Sequence, residues 1–581
     1  MKLNLYKSVA LCSLLALAGC HDFEEMNTNP NAPVYDPSVM DCGPEGIDID
    51  YTISESALES LKATESALGS IFFNFTYEGL YNDYQTATNL THDVYAAYNG
   101  SNGFLNNSPA YAYNDGWSAA RWKHFYDDRT IAEYSQLIKT FWFCNKEYYH
   151  NAFYITRIYY AFLLSAQTDT YGDIPIQYYV KGAMPPTENV TYTPQKEVYD
   201  IIFKLLDQAI TGLHNPPAVD QYSFSAEDDR IYGGKVEPWI RFANTLRLRL
   251  ALRVSNVAPE VAREQGEKAL SDPSGLMKGQ EDNMKLIPKR QWITGGNENI
   301  FALMFSWGAS CVLPKEMEWA YKNQALKEGV DANASGFVEK VARNADEEGT
   351  IFGLDATKYN EKEANCYLDP RCKILFFRPS PYDPGIKDDY KAEDPNAEYG
   401  GYRNGAKEVG SKYTVKYSPM KTNLKSDEML PDCWWNQARE IVWLGYSESL
   451  FLRAEAALRG WGNETGTAVA GRLYEDGVRA SMDYYGIASD KAEEYIDHLE
   501  GKKAFKEGGS REEQLEQIIT QKWLAVYPNG NEGWAEVRRT DYPRYLLLPR
   551  YGNNSSGEVE NTKLIKRVSY PNSESRNPNK P

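Results

Sequence analysis

Residues 518–543 read IITQKWLAVYPNGNEGWAEVRRTDYP. Ile518, Ile519, Trp523, Leu524 and Tyr527 recur at helical spacing, which predicts an amphipathic helix with one apolar face. Pro528-Asn529-Gly530-Asn531 should end it, because proline lacks an amide donor and Asn-Gly tolerates left-handed backbone angles. A second helix is expected from Glu532 to Arg539, with Trp534 and Val537 on one side and Arg538 and Arg539 near its C-terminus. Two helices joined by so tight a turn pack on each other as a helical hairpin.

The same rhythm runs outward from this stretch. Apolar residues keep a helical period over 54–75, 122–138 and 148–168, the last stopped by Gly172 and Pro175. Thr193-Pro194 should cap and open the next helix, whose apolar face includes Val198, Ile202, Leu206, Ala209 and Leu213. Helices follow over 239–257 and 260–270, then again over 441–460, where Glu455 and Arg459 form an i,i+4 pair, and over 474–486. Successive hairpins imply tetratricopeptide-like stacking, each pair burying its face on the next, although the strict repeat consensus is absent. Between Asn283 and Ile441 the rhythm fails. Gly, Pro, Asn and Asp are frequent there, and the helices expected at 314–327 and 336–345 are short. The fold class is therefore mostly α, helical hairpin repeats with a large irregular, loop-rich insertion. Residues 51–285 form one helical half, 286–440 the insertion, and 441–581 the C-terminal hairpins and tail. These three stretches make one composite domain over 51–581, within a length that allows roughly two to four domains. Residues 566–571 read as a closing strap, followed by a polar, mobile tail.

The N-terminus sets the compartment. Lys2 and Lys7 precede an apolar run over 9–18 that is too short to span a bilayer. It ends in Leu17-Ala18-Gly19-Cys20, which resembles a bacterial lipobox. The reading is a signal peptide over 1–19, a lipid-modified Cys20, and an extended tether over 20–50. A formal net charge of −19 argues against nucleic-acid binding, which needs a basic footprint. No cysteine falls in a CxxC pair, which disfavours a zinc ribbon. Cys366 and Cys372 could close a local disulfide in an oxidising compartment.

Several strings resemble the SusD-like (RagB/SusD) outer-membrane lipoproteins. They are QKWLAVYPNGNEGWAEVRRTDYPR at 521–544, TDTYGDIP at 168–175, NTLRLRLALR at 244–253, ESLFLRAEAALRGW at 448–461 and YEDGVRASMDYYG at 474–486. The phrase DFEEMNTNPNAP at 22–33 resembles the opening of one subgroup, with RagB among its relatives, and Asp369-Pro370-Arg371 a DPR motif of the family. Acidic Asp22, Glu24 and Glu25 after Cys20 resemble the signal that sends such lipoproteins to the outer leaflet. The resemblance implies a lipid-anchored outer-membrane protein, exposed at the cell surface, that captures a nutrient for a TonB-dependent transporter of the SusC type. The ligand is expected to be an oligosaccharide, with a peptide as the alternative, since some members serve peptide uptake.

Catalytic patterns are missing from the chain: it has no HExxH, GxSxG, Walker loop or GxGxxG. Asp169 and Asp173 could pair as in a glycosidase, but they flank a Tyr-Gly turn where Asp satisfies backbone amides. A lipid-anchored glycoside hydrolase and a scaffold that only binds its transporter stand as rival readings. Glu227, Asp228 and Asp229 offer oxygen ligands for calcium, although a solvated acidic loop is the favoured reading. No cofactor is indicated. Arg249 and Arg253 form a cationic helix edge suited to carboxylates of neighbouring helices. Tyr (43) and Trp (13) together far outnumber Phe (21), a bias that suits wet, sugar-stacking surfaces. Rings on irregular backbone, after the first helix and in the insertion, are the binding candidates: Tyr95, Tyr98, Phe104, Trp292, Trp307, Trp434 and Trp435. Asn99, Asn102 and Arg378 are their polar partners.

Overall fold

The computed structural model describes residues 46–79, 84–100, 111–185, 190–286, 312–322, 368–378, 420, 434–435, 439–497, 504–547, 553, 555–560 and 563–581. Cys20, the tether up to residue 45, Asn102, Phe104, Trp292, Trp307, Cys366 and the helix expected at 336–345 lie outside these residues. The end of the tether does not lie extended over the surface as expected: Ile47 and Ile49 are buried, and Asp50 accepts from Lys181 Nζ at 3.0 Å.

Helices dominate. In chain order they are α1 (Glu55–Ala63), α2 (Leu68–Gly79), α3 (His92–Tyr95), α4 (Asp115–Lys123), α5 (Thr130–Asn145), α6 (His150–Tyr171), α7 (Gln195–His214), α8 (Val236–Arg253) and α9 (Pro259–Ser271). Two short helices, α10 (Lys315–Tyr321) and α11 (Pro370–Leu375), lie in the insertion. The chain then continues through α12 (Tyr446–Arg459), α13 (Thr467–Tyr484), α14 (Ser489–Asp497), α15 (Arg511–Ala525) and α16 (Gly530–Thr540). Helix α6 packs on α5 and α7, α8 on α7 and α9, α12 on α8 and α13, and α15 on α12, so each helix pair covers the next in tetratricopeptide-like fashion. Hydrophobic burial is continuous from Ile47 to Tyr570, with α6 and α8 nearly enclosed; a second cluster joins α12 to α15. Among the described residues no helix is long and apolar enough to cross a membrane.

Several local expectations are corrected by the geometry. The helix expected over 122–138 is split by a π-turn at 124–128. Pro194 stands at the N-cap of α7, but no side-chain hydrogen bond caps the helix from there. Instead the Asp173 carboxylate accepts the Gln195 amide at 2.8 Å across the chain. The run from Ile441 opens with a strand, not a helix: β2 (Ile441–Leu444) pairs antiparallel with β1 (Met284–Leu286). That pairing puts the two ends of the insertion side by side. Strands this short carry too little alternation to be seen in the sequence. The strap is where expected, with the Val568 amide on the Thr170 carbonyl (3.0 Å) and the Tyr570 hydroxyl on the Asp173 carbonyl (2.8 Å). The tail beyond it is tied down: a 3₁₀ turn at Asn572–Arg576 places Glu574 against the Tyr192 hydroxyl, and Asn577 donates to the Val190 carbonyl at 3.1 Å.

Candidate functional site

The turn between α15 and α16 is the point on which the molecule converges. Asn529 caps α16 through the Glu532 amide and donates to the Trp443 carbonyl at 2.9 Å. Gly530 already lies in the helix and does not take the left-handed conformation that Asn-Gly suggested. Its lack of a side chain serves close approach. A Cβ there would lie 2.3 Å from Asp93 Oδ1 and 2.5 Å from the Asp93 amide nitrogen, and one on Gly533 would lie 2.5 Å from the Tyr98 ring. The first turn of α16 therefore packs backbone-to-backbone on residues 93–98 more than on α15.

Residues 84–100, expected as exposed aromatic loop, are mostly buried there. Asp93 accepts the Gly530 amide, the Tyr84 hydroxyl and Asn89 Nδ2, each at 3.0 Å. Burial pushes its carboxyl up to about 7 against these donors and the nearby Arg121. Arg121 reaches Asn531 Oδ1 (2.6 Å) and the Ala87 carbonyl (3.1 Å). Sequence reasoning missed this cluster. Its signal was a run of polar residues (Gln85, Thr88, Asn89, Asp93) too regular for a solvated loop.

Beside it lies a buried ion-pair network built from the family-like strings. Arg249 forks onto Glu448 at 2.5 and 2.8 Å, and Arg253 joins Asp169 to Glu532 (2.6 Å to the latter). Lys522 Nζ lies 2.8 Å from Glu532 Oε1. Arg539 bonds both oxygens of Glu455 at 2.7 Å, and Arg459 adds 2.8 Å to the same carboxylate. Burial alone would raise Glu455, but Arg539 and Arg459 hold it down to about 2. The cationic edge of α8 thus serves packing, as its spacing implied, and Asp169 and Asp173 are structural. Burial also lowers Arg538 to about 10; its guanidinium stacks 3.7 Å from the Trp534 ring centroid and donates to backbone carbonyls. In the DPR motif, Arg371 pairs with Asp369 at 2.7 Å, both side chains fully buried, and reaches Ser481 and Gln521. Asp229 is likewise buried, accepting the Ile231, Tyr232 and Gly234 amides and Trp239 Nε1, which leaves Asp228 to Ser225 and Glu227 to Arg230. Among the described residues no group of acidic, His or Cys side chains is arranged to hold a metal.

Rings from both irregular regions meet at this turn. Tyr98 and Asn99 are buried, the Tyr98 hydroxyl donating to the Trp523 carbonyl and its ring lying 5.3 Å from that of Tyr527. Asn99 donates to Asn89 Oδ1 at 3.2 Å. From the insertion, buried Trp435 and Phe376 come within 5.9 and 6.1 Å of the same Tyr527 ring. Tyr98, Asn99 and Trp435 thus turn their faces to protein. Tyr95 and Trp434 are half-buried, Tyr95 against Tyr111 and Trp534, and Trp434 between Tyr485 and the Arg439 guanidinium 3.8 Å from its centroid. Arg378 is half-buried just beyond Phe376. Gly100 and Val312 exchange both backbone hydrogen bonds (3.0 and 2.8 Å), a second point at which the two irregular regions meet.

Comparison with known proteins agrees with this architecture. A family model described as Susd and RagB outer membrane lipoprotein matches residues 50–366, and a second, described as Starch-binding associating with outer membrane, matches residues 315–571. Among solved structures, a chitin-binding SusD homologue from Flavobacterium johnsoniae is 25% identical, with a TM-score of 0.64 over 89% of this chain and 93% of that one. A SusD homologue from Bacteroides vulgatus is also 25% identical (TM-score 0.64; 87% and 92% covered), as is one from Bacteroides uniformis (TM-score 0.63; 88% and 94%). No curated protein sequence matches the chain.

Proposed function

The chain belongs to the SusD-like family of outer-membrane lipoproteins, and from that premise we propose that it captures an oligosaccharide and passes it, unaltered, to a TonB-dependent transporter of the SusC type. Lipid on Cys20 holds it at the cell surface. The observation that carries this reading is the convergence of the two irregular regions on the Tyr527 ring cluster, with the Gly100–Val312 bridge beside it. A sugar ring stacks its C–H face on Trp or Tyr while its hydroxyls bond polar side chains. The half-buried rings of Trp434 and Tyr95 are the proposed platforms among the described residues, with Arg378 as a polar partner; Phe104, Trp292, Trp307 and Asn102 remain candidates from the sequence alone and lie outside the described residues. Buried Tyr98, Asn99 and Trp435 hold the platform in place. The carboxylate pair a hydrolase would use is committed to Arg253 and the α7 amide, which supports binding without chemistry.

Affinity electrophoresis and calorimetry of the chain without residues 1–20, against polysaccharides and a peptide digest, test the proposal. Chitin oligomers come first, since a similar structure is of a chitin-binding protein. Saturable binding to one glycan, weakened about tenfold or more by Trp434→Ala and giving no product, is expected. Binding to peptides alone, or turnover of any substrate, overturns it.

A further inference from the structure

A second aromatic recess lies on the helical half, away from the Tyr527 cluster. The C-terminal end of α5, the first turns of α6 and the chain after α7 enclose an open hollow of about 320 Å³. Its rings include Trp142, Phe153 and Tyr154; its rim carries Lys146, Glu147 and Asn215. Phe153 is the buried floor, packed 5.7 Å from Trp142, whereas Trp142 and Tyr154 stay half-exposed. Phe153 and His150 meet Tyr154 at steep angles of 76° and 80°, not by stacking. A built feature holds Tyr154 in place: it lies directly on Gly212 of α7, where a Cβ would come within 2.1 Å of the ring. His150 Nε2 lies 2.9 Å from the Gly212 carbonyl.

The rim is polar and only partly committed. The Lys146 ammonium sits 5.6 Å from the Trp142 ring centroid and makes no ion pair among the described residues, nor does the Glu147 carboxylate. Asn215 spends its amide on the Thr211 carbonyl, leaving its side-chain oxygen to accept. Two ring walls, an apolar floor and a rim offering a donor cation, an anion and an amide oxygen are what a pyranose presents itself to: apolar C–H faces with hydroxyls at the edge. The volume is at the lower end for small-ligand pockets and fits a short saccharide, not a protein surface.

We infer that this recess is a second saccharide subsite, holding one or two sugar units of a glycan whose main contacts are elsewhere on the molecule. The inference rests on the glycan-capture reading above. Fluorine NMR of the chain without residues 1–20, labelled with 5-fluorotryptophan, reads the site directly. The Trp142 resonance is assigned by Trp142→Phe, and the wild-type chain is titrated with chitohexaose and maltohexaose. The expected result is a saturable shift of the Trp142 resonance, with its midpoint raised about tenfold in Tyr154→Ala. A glycan that moves other tryptophan resonances but leaves Trp142 still overturns the second subsite and spares the capture reading. No movement of any resonance, with no polysaccharide retained in electrophoresis, overturns both. The decisive titration uses the wild-type chain, so a variant that fails to fold does not blunt it.

Discussion

Replacing Glu455 by Gln removes one carboxylate from the buried network while keeping its shape. In the folded chain Arg539 and Arg459 hold that carboxyl at about 2, against an ordinary value of 4.5. The lowered value means that the stabilisation is present above about pH 4.5 and is lost as pH falls toward 2. A gap of that size corresponds to about 3 kcal/mol at pH 7, to about 1 kcal/mol at pH 3, and to almost nothing at pH 2. The neutral-pH figure agrees with the ~3–5 kcal/mol measured when one partner of a buried ion pair is removed. With an unfolding entropy of ~2.1 cal/mol/K per residue, about 3 kcal/mol lowers the melting temperature by about 2 to 3 °C in a chain of 581 residues. Scanning calorimetry of the wild type and Glu455→Gln at pH 7 and pH 3 measures it, because titrating groups that share no partner with Glu455 cancel in the difference, which leaves Glu455 and its neighbour Glu536 on Arg539. A shift below about 1 °C at pH 7, or one that does not shrink at pH 3, refutes the reasoning.

Three further outcomes follow from the same contacts. Arg371→Met strands Asp369 in the core and should cost about 3–5 kcal/mol, most of it recovered in the Asp369→Leu/Arg371→Met double variant; a double variant no better than the single one contradicts this in chemical denaturation. Gly530→Ala drives a Cβ into the Asp93 backbone and should destabilise by about 1–3 kcal/mol, measured as a drop in melting temperature, whereas Gly508→Ala, with open space around it, should leave it unchanged. Asp93 has a raised folded value near 7, so its contribution is intact below about pH 4 and fades as pH rises through 7. Asp93→Asn should therefore gain on the wild type between pH 5 and pH 8, and parallel stability profiles over that range would exclude it.

The long helices were legible because α7, α8 and α12 each carry an unbroken apolar face, and the ion pairs of α8 because arginines at i and i+4 on such a face need carboxylates. What stayed hidden depends on distant partners. The Asp173 carboxylate that satisfies the α7 amide is 22 residues away, and β1 finds β2 only across the insertion. Gly530 looked like a turn residue because local sequence reports backbone preference, not the approach of Asp93 at a separation of 437 residues. The ring candidates show the same limit. Tyr98 and Tyr95 share one composition and one short segment, yet one is enclosed and the other half-open, because only the facing helix decides.

The separation of those partners also sets when the molecule can be finished. Arg249 meets Glu448 across 199 residues, Arg253 meets Glu532 across 279, and Tyr98 reaches Trp523 across 425. A chain emerging from its N-terminus presents Arg249 before Glu448 and leaves Arg253 with Asp169 alone until Glu532 arrives, and a buried cation short of its carboxylates is strongly unfavourable. The buried network of the N-terminal half is therefore complete only once α15 and α16 are delivered, which makes the C-terminal hairpin the piece that closes the whole. A chain cut short before α16 lacks Glu532 and the helix that Asp93 and Tyr98 rest on, and limited proteolysis should digest it faster than the full chain.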